Sequence, residues 1–291
     1  MKFIKPSVEL KLQEAGEDGL FEHIEWAGRH CYKSHDKTTA DSARRFVKAI
    51  VNRGHGSVLE HGTIYLSIPA SEDISEFILN PYTRIVRCGE SGDPKDWFAV
   101  TTNYRVIVEN NWDLWLMWVS EPTPFHERRV SVKVTTDRGV THEFVRHRAM
   151  SLAQESQRYC NYNKDKFGGQ ITYIKPSWWD VMAPEDKARF KAGLLMAEEA
   201  YLEAVKVWDE RKPDKRFRTG FKGNPLSPQA ARMILPNATK TELIMTGFVS
   251  DWEHFFKLRC SSAAHPDARH LAEKIKSLMI EQNLITEDNG N

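Results

Sequence analysis

Two stretches of strict two-residue alternation, Ile64-Tyr65-Leu66-Ser67-Ile68 and Val130-Ser131-Val132-Lys133-Val134-Thr135, constrain this chain more than any other feature. Alternation sends one set of side chains to each face of an extended segment, so each stretch predicts a half-buried strand, the first stopped by Pro69. The two strands are expected to be neighbours in one sheet. Elsewhere the apolar period is that of a helix. Phe21, Ile24, Ala27 and Cys31 predict a helix from Gly19 to Cys31, and Ala43, Phe46, Val47 and Ile50 another from Thr39 to Asn52. Gly54 and Gly56 then break the pattern. The longest helix is expected from Ala183 to Arg211, with Ser and Pro before it and Lys212-Pro213 after. Leu194, Leu195, Tyr201, Leu202 and Val205 are its core face, with Ala197 at the margin. A short helix starts at Ser227-Pro228-Gln229, a strand covers Thr241–Val249, and helices cover Trp252–Arg259 and Pro266–Gln282, with roughly the last eight residues frayed. Helices and strands are mixed rather than alternating. That order predicts an α+β fold, an antiparallel-rich sheet flanked by helices, over a doubly wound one.

The chain of 291 residues shows no linker composition and reads as a single domain, 1–291. Residues 71–129 form a Trp-rich elaboration, with a strand at Trp97–Thr101 and a helix around Tyr104–Val119. Trp97, Trp112, Trp115 and Trp118 offer too much apolar area for a solvated linker, so this segment is expected to pack on the same core. A net charge of +1 does not favour nucleic acid as a partner. The four cysteines are scattered, no signal-like segment opens the chain and no apolar run approaches the roughly 20 residues of a membrane span, which together predict a cytoplasmic protein off the membrane. Among eleven histidines, His55 and His61 are six apart and His142 and His147 five apart. Neither pair has the i, i+4 zinc spacing, and no metal is expected.

The chemistry-bearing stretch is Arg146-His147-Arg148, followed after seven residues by Ser156 and then Arg158-Tyr159. Guanidinium forks match phosphate and carboxylate oxygens in bidentate fashion, so the segment reads as a cradle for an anion. The alternative is a solvated basic face. Against that alternative, Phe144, Val145, Met150, Leu152 and Tyr159 interleave the cations with apolar groups, and a partly buried guanidinium needs an anionic or carbonyl partner. Asp137 is a helix N-cap signal, and Val140, Phe144 and His147 would share a face of the helix it starts. Arg146 to Arg148 then lie at a helix end, and Ser151–Asn163 is expected to be a loop wrapping the ligand.

Arg-His-Arg, seven residues, Ser, continued by Gln157-Arg158-Tyr159, resembles the signature of the flavin-dependent thymidylate synthases. Two further elements resemble the same family in the same order. His55-Gly56-Ser57-Val58-Leu59-Glu60-His61 is similar to its His-x-Ser-x-x-Glu-His element, and Ala231-Arg232-Met233-Ile234-Leu235-Pro236 to its Ala-Arg-(aliphatic)-Leu-Pro element, followed by His254-Phe255-Phe256-Lys257-Leu258-Arg259. The likeness covers roughly residues 50–70 and 130–275, with a weaker part around Ala27 to Tyr32.

The resemblance implies reductive methylation of dUMP to dTMP, with methylenetetrahydrofolate as carbon donor, NADPH as reductant and FAD bound, in a homotetramer whose sites are shared between subunits. It implies that Arg259 is catalytic, polarising the pyrimidine. It assigns dUMP to Glu143, Arg146, Gln154, Glu155, Ser156, Gln157, Arg158, Arg232 and Arg259, with Arg232 arriving from a helix N-terminal turn. FAD falls to Ser57, Arg146, His147, Arg148 and Gln154. No Gly-x-Gly-x-x-Gly fingerprint is present, so the flavin site is expected to be non-Rossmann. His147 also reads as a core histidine beside Phe144, and His55, Glu60 and His61 also read as a structural hydrogen-bonded cluster. Ser156 is not read as a nucleophile, having no elbow and no adjacent base. The chain departs from the family pattern where Ala153-Gln154 replaces Asn-Glu, where Glu143 replaces Gln, and where Phe248, Ser250 and His254 stand at positions of Asn and Arg. Two rival functions follow: a nucleic-acid-binding protein using the arginines, and a flavin-binding relative without methyl transfer.

Overall fold

The computed structural model describes residues 1–89, 96–211 and 227–287, leaving the side chains of 207–211 undescribed. In chain order the main elements begin with β1 (Lys2–Ile4), β2 (Ser7–Lys11), α1 (Gly16–Tyr32), α2 (Ser42–Asn52), the single turn α3 (Gly56–Leu59), β3 (Thr63–Pro69), α4 (Ser75–Ile78), β4 (Arg84–Cys88), β5 (Trp97–Asn103) and α5 (Tyr104–Asn110). They continue with β6 (Arg129–Asp137), α6 (Arg138–Phe144), β7 (Ser151–Gln154), β8 (Thr172–Ile174), α7 (Pro184–Arg211), α8 (Pro228–Ala231), β9 (Lys240–Phe248), α9 (Val249–Arg259) and α10 (Pro266–Glu281). The fold is α+β with antiparallel main sheets, as the mixed order of periods predicts.

The organising layer is a four-stranded antiparallel sheet in the order β2-β6-β9-β7. Alternation along β6 gives it two unlike faces. Val130, Val132 and Val134 join Leu243 and Met245 against Trp252 and Phe255 of α9 and Leu271 and Ile275 of α10, all essentially inaccessible. Each such side chain contributes roughly 1.5–3 kcal/mol through the water it leaves. The other face carries Ser131 and Thr246 and is covered by α1, so it is buried and polar at once. There a hydrogen-bonded chain runs from His23 Nε2 to Ser131 Oγ (2.7 Å), on to Thr246 Oγ1 (2.6 Å) and to His61 Nδ1 (2.7 Å). Burial is the main cause that pushes both imidazoles down to about 3, so both are neutral at pH 7.

The sheet neighbours differ from expectation. Ile64–Ile68 and Val130–Thr135 do not pair: β3 belongs to a separate three-stranded antiparallel sheet, β3-β5-β4. That sheet packs with α1 and α2 in a core of its own, where Ile24, Val47, Ile50, Leu66 and Val100 meet. Trp112, Trp115 and Trp118 pack against this second cluster and not against the core under β6 and β9, which corrects the expectation of one shared core. Gly28 and Gly62 permit the close approach, since a Cβ at Gly28 would meet the Phe46 ring at 2.5 Å and one at Gly62 would meet Ile24 and Leu20 at 2.6 Å.

Several boundaries also shift. The helix expected over Tyr104–Val119 ends at Asn110, because Asn111 takes a left-handed φ of 57° that Asn tolerates. A 3-10 turn, Asp113–Trp118, then carries Trp115, and Trp112 and Trp115 lie with ring centroids 4.6 and 5.1 Å from Phe77. In α7, Leu194, Tyr201 and Val205 are buried but Leu195 is 42% exposed, a quarter-turn round from the core face. The Lys212-Pro213 stop signal lies outside the described residues. So do residues 288–291 of the tail expected to fray, whereas Leu284 and Ile285 pack on the main core. No helix among the described residues is long and apolar enough to cross a membrane.

Candidate active site

Asp137 caps α6 by accepting from the Val140 N–H at 2.9 Å, and α6 ends at Phe144, whose buried ring meets Phe255 edge-on at 5.1 Å. The chain then turns through Arg146, His147 and Arg148. Only the middle residue points inward. His147 is 9% exposed with its ring against Phe255 at 4.8 Å, while Arg146 and Arg148 are exposed and form no ion pair with a described residue. His147 is thus both the core histidine and a member of the signature group.

Arg259 lies one turn beyond Phe255 on α9 and reaches the same spot. Its Nε donates to His147 Nε2 at 2.9 Å, one terminal nitrogen to Glu143 Oε2 at 2.5 Å, and the other to the Glu143 carbonyl at 2.8 Å. A guanidinium only donates, so Nε2 of His147 is the bare nitrogen and Nδ1 carries the proton. Burial first, then the Arg259 charge beside it, pushes His147 down to about 4. Of the five N–H groups of Arg259, three are used in fixing it and two remain to meet a ligand. Glu143 also lines a cleft of about 370 Å³ with Trp178, Phe190 and His265.

A second group lies on the far side of β7. The expected ligand loop over Ser151–Asn163 begins instead as strand, because Ser151–Gln154 pairs with β9 from Thr246 to Leu243. Gln154 spends its amide nitrogen inside the protein, on Thr141 Oγ1 at 2.9 Å and Thr241 Oγ1 at 3.4 Å. Glu155 is 2% exposed and accepts from Lys240 Nζ at 2.9 Å and the Tyr162 hydroxyl at 3.1 Å, with Lys33 Nζ 3.5 Å away. Glu242 pairs with Lys240 at 2.5 Å and with Lys33. Burial alone would raise Glu242, but Lys240 and Lys33 hold it down at about 2. Lys33 gets there because it caps α1 in a left-handed conformation, φ 47°. Lys33, Lys240 and Glu155 line a cleft of about 600 Å³ with Lys2, His35 and Lys166.

The rest of the signature follows on the surface. Ser156 donates its backbone N–H to the Cys31 carbonyl at 3.0 Å, and its hydroxyl accepts from the Arg158 N–H at 3.3 Å. Gln157 is 8% exposed and its buried Nε2 has no acceptor among the described residues. Arg158 is exposed and donates from Nε to Gln229 Oε1 at 3.1 Å. Arg232 does not sit at a helix N-terminus: it follows the last residue of α8 and opens a 3-10 turn, so no helix dipole assists it there. Ser57 is exposed on α3. His55, Glu60 and His61 form no mutual cluster. Tyr32 lies 3.5 Å from His55, Arg105 donates to Glu60 at 2.6 Å, and His61 turns inward to Thr246.

The structure therefore brings Glu143, His147 and Arg259 into contact, buries Glu155 in an ion cluster, and leaves Ser57, Arg146, Arg148 and Arg158 outward. The sequence reading missed Lys33, Lys240 and Glu242. Lys240 and Glu242 sit two apart on one strand, a visible signal, but their partners are far away along the chain. Among the described residues, no three His, Cys, Asp or Glu side chains are grouped to hold a metal.

A family model described as thymidylate synthase complementing protein matches residues 109–282. The chain is 26% identical over 269 residues to a flavin-dependent thymidylate synthase of Mycolicibacterium gilvum, covering 92% of this chain and 77% of the relative. Similarity to the protein of the same description in Mycobacterium avium is 25% over 251 residues, covering 86% and 71%. Among solved structures, a UMP/dUMP methylase, PolB, from Streptomyces cacaoi bound with 5-Br dUMP aligns over 97% of this chain and 93% of its own, at 15% identity and a TM-score of 0.42.

Proposed function

Because the chain belongs to the family of thymidylate synthase complementing proteins, we propose that it is a flavin-dependent thymidylate synthase, a methyltransferase that converts dUMP to dTMP with methylenetetrahydrofolate as carbon donor and NADPH as reductant. The observation that carries this reading is Arg259, a guanidinium fixed on three sides with two donors spare. Methylation at the fifth carbon of uracil requires negative charge to build on the ring, and a fixed cation stabilises it without reorganising. His147, neutral and accepting, holds the fork in orientation, and Glu143 fixes its other end.

The residues fit the nucleotide and the flavin. Gln157 offers a buried donor with no acceptor among the described residues, beside the Ser156 hydroxyl and the exposed Arg158 fork, a set suited to phosphate oxygens. Arg146 and Arg148, exposed and without an ion pair to any described residue, are cations suited to a diphosphate, in a chain with no Gly-x-Gly-x-x-Gly fingerprint. A bound FAD, once reduced by NADPH, would supply the hydride that reduces the transferred one-carbon unit. Ser57, Arg146 and Arg148 point outward from the single chain, which supports a homotetramer whose sites are completed by another copy. The whole of 1–291 acts as one domain in this reading, in the cytoplasm.

The visible spectrum of the purified protein, followed by anaerobic addition of NADPH and then dUMP and methylenetetrahydrofolate, tests it. A flavin absorbance that bleaches and yields dTMP is expected. Bleaching without dTMP would leave a flavin-binding relative that does not transfer methyl, and failure to bind FAD would overturn the assignment.

A further inference from the structure

A cleft of about 510 Å³ lies between the segment 12–17, the start of β3 and residues 116–122, with neither the Arg-His-Arg stretch nor Arg259 in its walls. Leu20, Phe21, Ile64, Tyr65 and Tyr104 give it an apolar, partly aromatic lining, and Arg129 forms part of one wall beside the exposed Arg128. Arg129 is 9% exposed, and its described hydrogen-bond acceptors are all uncharged: the Glu60 carbonyl at 2.9 Å, Thr63 Oγ1 at 3.4 Å and Ser151 Oγ at 3.1 Å. Among the described residues its buried Nε has no acceptor and no carboxylate lies within ion-pair distance; the guanidinium sits over the Phe248 ring at 5.4 Å, and Glu60 and Asp251 act on its charge only from farther away. Burial lowers its pKa to about 10, so it remains a cation at pH 7. The other buried arginine among the described residues is treated differently. Arg29, 7% exposed, is paired to Glu25 at 2.6 Å.

A buried charge with no carboxylate in contact is only partly compensated by an aromatic ring and distant carboxylates, which leaves room for a ligand to supply the contacting partner. We propose that this cleft is a second ligand site, taking a planar apolar ring system that carries one anionic group, carboxylate or sulfonate in type, to pair with Arg129. The walls decide against a bare inorganic anion. Glu14, Glu17 and Glu121 also line the cleft and repel it, Glu17 being partly offset by Arg44 at 2.8 Å, so the apolar body must supply part of the attraction. Segments 63–65, 104 and 116–122 build most of one side, which makes the three-stranded sheet and its following turn a binding element.

Two fluorescent probes test this on the full chain: 8-anilinonaphthalene-1-sulfonate and the uncharged N-phenyl-1-naphthylamine. The sulfonate should bind at least about tenfold tighter, and the ratio should hold between about 50 and 500 mM NaCl, because a buried pair is little screened. Arg129→Met should abolish the ratio and leave the neutral probe unchanged. Val119→Trp, which fills the mouth, should weaken both probes about tenfold and decides the matter if the Arg129 variant does not fold. Equal affinity for the two probes, a ratio that collapses with salt, or full binding by Val119→Trp would overturn the proposal.

Discussion

Arg259, Glu143 and His147 meet in an open arrangement, one carboxylate and one neutral imidazole around a guanidinium with donors to spare, whereas Glu155, Glu242, Lys33 and Lys240 form a closed set of two anions and two cations. Both groups flank the β7 and β9 strands. The closed set has its charge balanced within the protein and stabilises the junction of α1, β7 and β9. The open set keeps unspent hydrogen-bonding capacity, which is what a reaction draws on. Charge near a site is therefore informative only after its partners are counted.

Removing one member of the closed set should have the largest effect. Glu155→Ala leaves Lys240 and Lys33 sharing one carboxylate in a buried place, and should cost about 3–5 kcal/mol in urea unfolding; a cost below about 1 kcal/mol would mean that the cluster is hydrated and not structural. Arg259→Ala should do the reverse, lowering dTMP formation about 10²–10³-fold with the unfolding midpoint nearly unchanged. Unchanged turnover would take Arg259 out of the mechanism.

Acid separates the groups by window. His147 titrates at about 4 when folded against an ordinary 6.5, so the unfolded chain takes up that proton first. Its contribution is complete above pH 6.5 and lost as pH falls toward 4. His30, at about 4, and His23 and His61, at about 3, act in the same direction from 6.5 downward, the last two continuing to about 3. Glu242 contributes fully above 4.5 and loses its share only as pH falls toward 2. Unfolding at stepped pH should lose stability steadily from 6.5 downward, by at most about 1.4 kcal/mol per unit for any one histidine, and Glu242→Gln should remove the loss that Glu242 itself contributes between 4.5 and 2 while lowering His30 further, since the Glu242 charge raises it. The smallest effect is expected for Glu143→Gln, which keeps the shape of the Arg259 contact but removes the charge: stability should change by less than about 1 kcal/mol and turnover by about tenfold. A collapse of turnover to the Arg259→Ala level would show that the carboxylate itself takes part.

The helix periods around Ile24 and Val47, the cap at Asp137 and the helix start at Pro266 were readable because they depend on residues a few positions apart. The pairing of β3 was not readable. Ile64–Ile68 and Val130–Thr135 carry the same alternation, and an alternating strand fits either sheet; the turn at Pro69 and the Trp112, Trp115 and Trp118 packing direct β3 to β5 instead.

At the candidate site the sequence alone supplied the identity of the groups: the arginines of the signature, Ser156, and the mixed, non-Rossmann order of elements. Those follow from residue types at fixed short spacings. Only the tertiary structure decided which charges are spent and which are free. Arg259 meets Glu143 across more than a hundred residues, Glu155 finds Lys33 and Lys240 from opposite ends of the chain, and Arg129 has no described carboxylate within ion-pair distance. Compensation of charge depends on distance in space, and distance in space is what a linear spacing does not carry.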